Sequence, residues 1–269
     1  MSAAKAPGSH FTLRNICLIL VVSLGVYCFH YAMTPRLELP NFQEPNPPGV
    51  PDKFDAEGNV QHFPGNTVIA HLSHSSELHR SLRRLHDKLK GSHLHHLYAL
   101  LPPSSWHMTL FEGVLDKVRV PGRWPDDLPL NASLAQCHSL YERKLSSFDL
   151  RCAPPYKLSI LGFQKQVAGI TLDLQPSTPQ ENSRLRDLRD RLSELLHIRA
   201  REHDTYGFHL SLAYKLRYLS EEQDTELTEL LMDHFKKEMP NQFELGAPEF
   251  CKFEDMFAFE PLLYLKDQQ

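Results

Sequence analysis

Two distant segments of this chain repeat one pattern that is typical of a half-buried strand. The first is the run WHMTL at 106–110, and the second is FHLSL at 208–212. In each run an aromatic residue precedes a histidine, a hydroxyl residue follows two positions later, and apolar residues fill the alternate positions. Because strand side chains alternate between two faces, each segment is predicted to bury its apolar residues and to present one imidazole and one hydroxyl on the opposite face.

The elements that precede these two strands repeat as well. A strand at 65–73 and a leucine-patterned helix at 76–89 precede the first, and strands at 156–164 and 167–174 and a leucine-patterned helix at 183–198 precede the second. The other predicted elements are strands at 106–114, 206–216, 250–259 and 262–265, and helices at 133–145 and 221–238. The pattern predicts an α+β fold of two pseudo-symmetric lobes, each an antiparallel sheet with flanking helices, around a central cleft.

The paired motifs supply the groups that cleavage of a phosphodiester needs. His107 and His209 can serve as an acid/base pair, because imidazole titrates near ~6.5 and one neutral and one protonated ring can accept and donate protons near neutral pH. Thr109 and Ser211 can donate hydrogen bonds to the non-bridging phosphate oxygens and stabilise the charge of the transition state. Neither role requires a metal, so no metal or other cofactor is expected.

These motifs, with the surrounding run LPPSSWHMTLFEGV at 101–114, resemble the two-histidine (2H) phosphoesterase superfamily of RNA ligase-like and cyclic nucleotide phosphodiesterase-like proteins, and one poorly characterised branch in particular. The resemblance runs from about Pro64 to the C-terminus. It implies a metal-independent phosphoesterase that cleaves a nucleotide or RNA phosphodiester or cyclic phosphate, such as a 2′,3′-cyclic phosphate or a 2′–5′ linkage. It leaves open which histidine is the acid and which is the base.

Three further observations bear on function. The formal net charge of −4 argues against a general electrostatic grip on nucleic acid, so the expected partner is a nucleotide or short RNA without a stable nucleic-acid complex.

Histidines crowd between 71 and 96, which leaves a metal-dependent hydrolase open as an alternative, although a solvated helix surface also accounts for them. Tyr206 is predicted to face away from His209 in a regular strand and so to lie outside the site. A catalytically silent nucleotide-binding module of the same fold is the other alternative.

The N-terminal part of the chain differs in composition from the rest. Residues 16–33 carry no acidic or permanently basic side chain, which predicts a transmembrane anchor, with a cleaved signal peptide as the alternative. Basic residues before it predict a cytosolic tail at 1–15 and a lumenal or extracellular domain. The Pro-rich stretch 34–64 is predicted to be an extended tether, followed by the folded domain at 65–269. The sequence therefore predicts a single-pass membrane protein and does not indicate its oligomeric state.

Overall fold

The structure, a computed structural model, describes residues 45–151 and 153–267, which hold four helices and nine strands. In chain order these elements are β1 (Gly65–His71), α1 (Glu77–Gly91), β2 (Tyr98–Leu100), β3 (His107–Leu115), α2 (Leu134–Ser146), β4 (Tyr156–Phe163), β5 (Gly169–Pro176), α3 (Pro179–Leu196), β6 (His209–Lys215), α4 (Glu221–Glu238), β7 (Gln242–Leu245), β8 (Glu249–Phe253) and β9 (Glu260–Tyr264). Short 3-10 turns at His95–Leu97, Pro103–Ser105 and His203–Thr205 precede the strands β2, β3 and β6.

The strands form two antiparallel sheets, one for each lobe. The first sheet has the order β3-β1-β8-β9, and the second has the order β2-β6-β5-β4-β7. Every pairing within the two sheets is antiparallel. The predicted α+β fold of two pseudo-symmetric lobes is therefore confirmed.

The two lobes exchange strands along the chain. The short strand β2 comes from the first half of the chain but pairs with β6 in the second sheet. Strands β8 and β9 come from the end of the chain but join β1 in the first sheet. The motif strands β3 and β6 contact each other where the two sheets meet. Neither half of the sequence thus builds its own lobe alone.

The four helices begin at hydroxyl residues that cap them. Ser76, Ser133, Thr178 and Ser220 each accept a hydrogen bond from a backbone N–H three residues later, which satisfies one of the free donors of the first turn. The leucine stripes of the helices are buried, as Leu78, Leu82, Leu85 and Leu89 of α1 are. Burial of each such side chain is worth ~1.5–3 kcal/mol, so the leucine pattern fixes which helix face packs on the sheets.

Residues 45–64, which the sequence predicts to belong to the extended tether, pack on the domain. Phe54 and Phe63 are buried, and the ring of Phe54 lies 5.3 Å from the ring of Tyr214. Phe54 also forms an isolated antiparallel bridge with Val60. We call residues 45–64 the N-terminal strap. The compact unit thus begins at Pro45, before the first strand.

The predicted membrane localisation requires correction. None of the helices in the described ranges has the length and the apolar character needed to cross a membrane. A transmembrane helix needs about 20 consecutive, predominantly apolar residues, whereas these helices are amphipathic and pair a buried stripe with charged exposed positions. This finding contradicts the localisation as a single-pass membrane protein. The predicted tail at 1–15 and the anchor at 16–33 lie outside the described residues.

Candidate active site

The fold brings the four predicted site residues into one cleft. His107 and Thr109 on β3, and His209 and Ser211 on β6, all line a cleft of ≈ 290 Å³. All four are partly exposed, and the apolar residues between them in both strands are buried. The two motifs therefore face each other across the cleft, as the alternation of strand side chains predicts.

The two histidines are oriented by the same local contact. Nδ1 of His107 lies 2.6 Å from the carbonyl oxygen of Ser105, and Nδ1 of His209 lies 2.9 Å from the carbonyl oxygen of Gly207. Both carbonyls come from the residue two positions before the histidine. Because a carbonyl only accepts hydrogen bonds, Nδ1 carries the hydrogen in both rings, and Nε2 remains available for proton transfer.

The surroundings of His107 favour its neutral form. Burial lowers the pKa of His107 to about 4, and the nearby rings of His71 and His209 add repulsion, while the bond to the Ser105 carbonyl opposes the shift. His71 lies opposite His107 in the register of β1 and β3, and its Nδ1 lies 2.8 Å from a carboxylate oxygen of Glu249. At neutral pH, His107 is therefore a proton acceptor and not a cation.

Both motif strands contain a β-bulge at the same position. The extra residue is Leu110 in β3 and Leu212 in β6, three positions after the motif histidine in each case. An extra residue reverses the alternation of the side chains beyond it. As a result, Glu112 and Tyr214, five positions after the histidines, line the same cleft as the histidines. In regular strands both side chains would point to the opposite face.

Glu112 and Tyr214 each contact a cationic side chain that also lines the cleft. Nη1 of Arg123, from the loop between β3 and α2, lies 3.8 Å from Oε1 of Glu112. Nζ of Lys53, from the N-terminal strap, donates a hydrogen bond of 2.9 Å to the hydroxyl of Tyr214. The repeated unit thus comprises a histidine, a hydroxyl, a bulge and a residue that contacts a cation. Sequence patterning identified only its first two parts.

Tyr206 lies in the cleft, so the prediction that it faces away from His209 is wrong. Strand β6 begins at His209, and Tyr206 follows a 3-10 turn, so strand alternation does not apply to it. Its side chain shares a hydrogen bond with Thr109, and its ring lies 5.8 Å from the ring of His209. Burial raises the pKa of Tyr206, which keeps its hydroxyl protonated. Gly207 is the sequence signal for this break in the alternation, because a glycine within a strand pattern often marks an irregularity.

The side chain of Arg189, on α3, contacts the regions of both motifs. Its side chain is buried, and Nη1 donates a hydrogen bond of 2.7 Å to the carbonyl of Leu110, the bulge residue of β3. Nη2 lies 3.4 Å from the carbonyl of His203, in the turn before β6, and the guanidinium stacks 4.1 Å from the centroid of the Tyr206 ring. Arg189 therefore connects β3 to the segment that leads into β6, without lining the cleft. Spacing within the sequence carries no signal for this role.

Apolar and aromatic side chains form the remaining walls of the cleft. The ring of Phe259 lies 4.3 Å from the ring of His107 in an edge-on arrangement. The other wall residues are Phe63, Leu101, Val114, Leu115, Phe253 and Met256. Such rings suit stacking against a flat base. The volume is near the lower end of the ~300–1,000 Å³ of small-molecule pockets, which fits a nucleotide-sized ligand.

The histidines between 71 and 96 do not converge on one site. In the described part of the chain, potential metal-ligating atoms lie close together in two groups, which are His71, Glu249 and Cys251, and Asp190, His203 and Asp204. Only His71 belongs to the predicted histidine cluster, and both of its companions come from β8. None of these six residues lines the cleft that the motif histidines share.

Comparisons with known proteins bear on the family and the fold. A family model described as "2H-phosphodiest: Domain of unknown function (DUF1868)" matches residues 53–169, a span that begins in the strap and includes the first motif. The crystal structure of a conserved protein of unknown function, ATU0111 from Agrobacterium tumefaciens, matches with a TM-score of 0.75 and 27% identity over 82% of this chain and 94% of that one. TT0787 of Thermus thermophilus matches with a TM-score of 0.40 and 12% identity over 75% and 96%, which is too distant to support an argument. No curated protein matches.

Proposed function

We propose that this chain, which is similar to two-histidine phosphodiesterases over residues 53–169 and to a solved structure over 82% of its length, cleaves a phosphodiester or cyclic phosphate of a nucleotide or short RNA without a metal. One observation carries the proposal. Two imidazoles with the same tautomer, each with a hydroxyl two positions later, face one cleft from symmetry-related strands. A general base and a general acid on opposite sides of a phosphate are what this cleavage requires.

The surroundings of His107 favour one assignment of roles. His107 is neutral at pH 7 because burial lowers its pKa to about 4, so its Nε2 takes the proton from the attacking water or hydroxyl. This assignment leaves His209 as the general acid, whose Nε2 gives a proton to the leaving oxygen as the phosphorus–oxygen bond breaks. Thr109 and Ser211 donate hydrogen bonds to the non-bridging oxygens, where negative charge grows in the transition state.

The walls of the cleft support a nucleotide as the substrate. The partly exposed ring of Phe259 offers a surface for stacking a base, and the buried rings of Phe63 and Phe253 form the wall beside it. The cleft is too small for a duplex, and the chain has a net negative charge, so the reacting end of a mononucleotide or short single strand fits best. A 2′,3′-cyclic phosphate or a 2′–5′ linkage places the reacting phosphate next to a ribose, and these are the substrates to test first.

A panel of nucleoside 2′,3′-cyclic phosphates and 2′–5′-linked dinucleotides, assayed in the presence of EDTA, tests the proposal. We expect turnover by the wild type, and we expect His107→Ala and His209→Ala each to lower kcat by ~10²–10⁴. His96→Ala, an exposed histidine outside the cleft, is the matched control and should retain full activity.

Three results would contradict the proposal, each in a different way. Unchanged turnover in both histidine variants would show that the cleft does not perform the chemistry. Tight binding of the nucleotides in calorimetry without any turnover would instead identify a catalytically silent nucleotide-binding module of this fold. Activity that EDTA abolishes and added metal restores would identify a metal-dependent hydrolase.

A further inference from the structure

We propose that Lys53 is a substrate-binding residue, whose ammonium group binds an anionic oxygen of the substrate, and that the N-terminal strap is therefore part of the active site. The proposal deepens the function proposed above and rests on it for the class of substrate. It concerns a segment that the sequence pattern assigned to a tether, outside the domain.

The position of the Lys53 ammonium is fixed by neutral aromatic groups. Nζ donates a hydrogen bond of 2.9 Å to the Tyr214 hydroxyl. The same atom lies 4.6 Å from the centroid of the Tyr214 ring and 5.3 Å from that of Phe63. Tyr214 reaches the cleft only because of the bulge in β6, so Lys53 is held by the same repeated unit that carries His209 and Ser211.

The backbone around Lys53 is also held in place. Its N–H donates to the carbonyl of Gly49, and its carbonyl accepts from the N–H of Gln61, both over 2.8 Å. The next residue, Phe54, is fully buried and packs on the rings of Tyr214 and Phe257. The backbone of Lys53 therefore has a defined position before a ligand binds, so that binding through its side chain costs little conformational entropy.

Lys53 differs from the neighbouring cations because no carboxylate compensates its charge. Arg123, the other cation of the cleft, lies 2.6 Å from Glu202 and 3.8 Å from Glu112. Lys117, which lies over the same Phe63 ring at 4.4 Å, pairs with Asp52 at 2.6 Å and does not line the cleft. Within residues 45–151 and 153–267, no carboxylate forms an ion pair with Lys53.

An ammonium without a carboxylate partner adds a permanent positive charge to the groups that the two motifs bring to the cleft. The hydroxyls of Thr109 and Ser211 are neutral donors, and His107 is neutral at pH 7. A phosphodiester already carries a negative charge, which is redistributed towards its oxygens as the bond breaks. A charge-assisted hydrogen bond is roughly twice as strong as a neutral one, so the Lys53 ammonium favours an anion over a neutral ligand.

Calorimetry with a matched pair of probes tests this role without requiring turnover. Adenosine 2′-monophosphate and adenosine share a base and a ribose and differ in the phosphate. We expect Lys53→Met to weaken binding of the monophosphate about tenfold or more, to leave binding of adenosine unchanged, and to remove the salt dependence of the difference. Lys53→Arg should retain part of the affinity, and the control Lys117→Met should behave as the wild type does.

Several outcomes would overturn the role of Lys53. The first is that Lys53→Met and the wild type bind the monophosphate with equal affinity. The second is that Lys53→Met loses affinity for both probes to the same extent, which would indicate a structural role. The third is that the wild type binds neither probe. Thermal unfolding of each variant establishes that the fold is retained, and Lys53→Gln replaces Lys53→Met if the latter does not fold. The proposed function fails separately, through unchanged turnover in the histidine variants, so the two failures are distinguishable.

Discussion

At the scale of single residues, the hydroxyl of Thr109 is oriented by Tyr206. Removal of the Tyr206 hydroxyl leaves Thr109 without this partner, and one hydrogen bond is worth ~1 kcal/mol. Tyr206→Phe is therefore expected to lower kcat about fivefold to tenfold with little change in KM, as steady-state kinetics would show. Tyr264→Phe, at a half-exposed position on β9, is the control. An unchanged kcat in Tyr206→Phe would contradict the orienting role.

The lowered pKa of His107 predicts an unusual pH dependence. A general base must be neutral, so activity is lost as the pH falls through its pKa, which is about 4 and not near 6.5. We expect the acidic limb of kcat/KM near pH 4. The shift arises from burial and from repulsion by His71, which is paired with Glu249, and by His209. A titration of the His107 ring by NMR checks the value, and an acidic limb near pH 6.5 that follows this titration would contradict it.

The same shift affects stability in the same direction. In the unfolded chain, His107 takes up a proton near pH 6.5, whereas in the folded protein it does so only near pH 4. Between these values the unfolded chain binds more protons, so the free energy of unfolding decreases as the pH falls. Below the folded pKa this contribution no longer changes.

At the scale of the elements, Arg189 connects α3 to the strand β3 and to the segment that precedes β6. Replacing it by leucine would leave the Leu110 carbonyl of the bulge and the His203 carbonyl without their donor and would remove the stacking on Tyr206. Disruption of such a buried charged network costs roughly 3–5 kcal/mol. We expect Arg189→Leu to lower the free energy of urea unfolding by this order. Arg199→Leu, which removes two exposed ion pairs, should cost less than ~1 kcal/mol. Equal losses in both variants would contradict the bridging role.

The elements themselves were largely predictable from periodicity, but the bulges were not. Leucine stripes and alternating strands identified the four helices and seven of the nine strands, because each is long enough to show its period. The strands β2 and β7 span three and four residues, too few for a pattern. A bulge depends on how a strand pairs with its partner strand, and the sequence of one segment carries no information about that pairing. For this reason Glu112 and Tyr214 were not identified as cleft residues.

At the scale of the whole molecule, pseudo-symmetry was predictable and the strand exchange was not. The repeated motif strands indicated two related lobes, and the structure has one sheet for each. The pairing of β2 with β6, and of β8 with β1, joins residues far apart in sequence, and hydrophobic patterning does not encode such partners. The packing of the N-terminal strap was missed because its prolines and asparagines resemble a linker, although two phenylalanines are buried from it.

Glu112 and Tyr214 occupy the same position in the two motifs, five residues after the histidine, but they differ in chemistry. This difference affects which ester bond of a diester is cut. Two symmetry-related imidazoles alone would treat the two ester oxygens of a diester alike. Glu112 contacts an arginine that carboxylates neutralise, whereas Tyr214 leaves its lysine charged, so the two ends of the cleft differ in electrostatic potential. A bound diester therefore has one preferred direction, and we expect one of its two ester bonds to be cut and the other to be left intact.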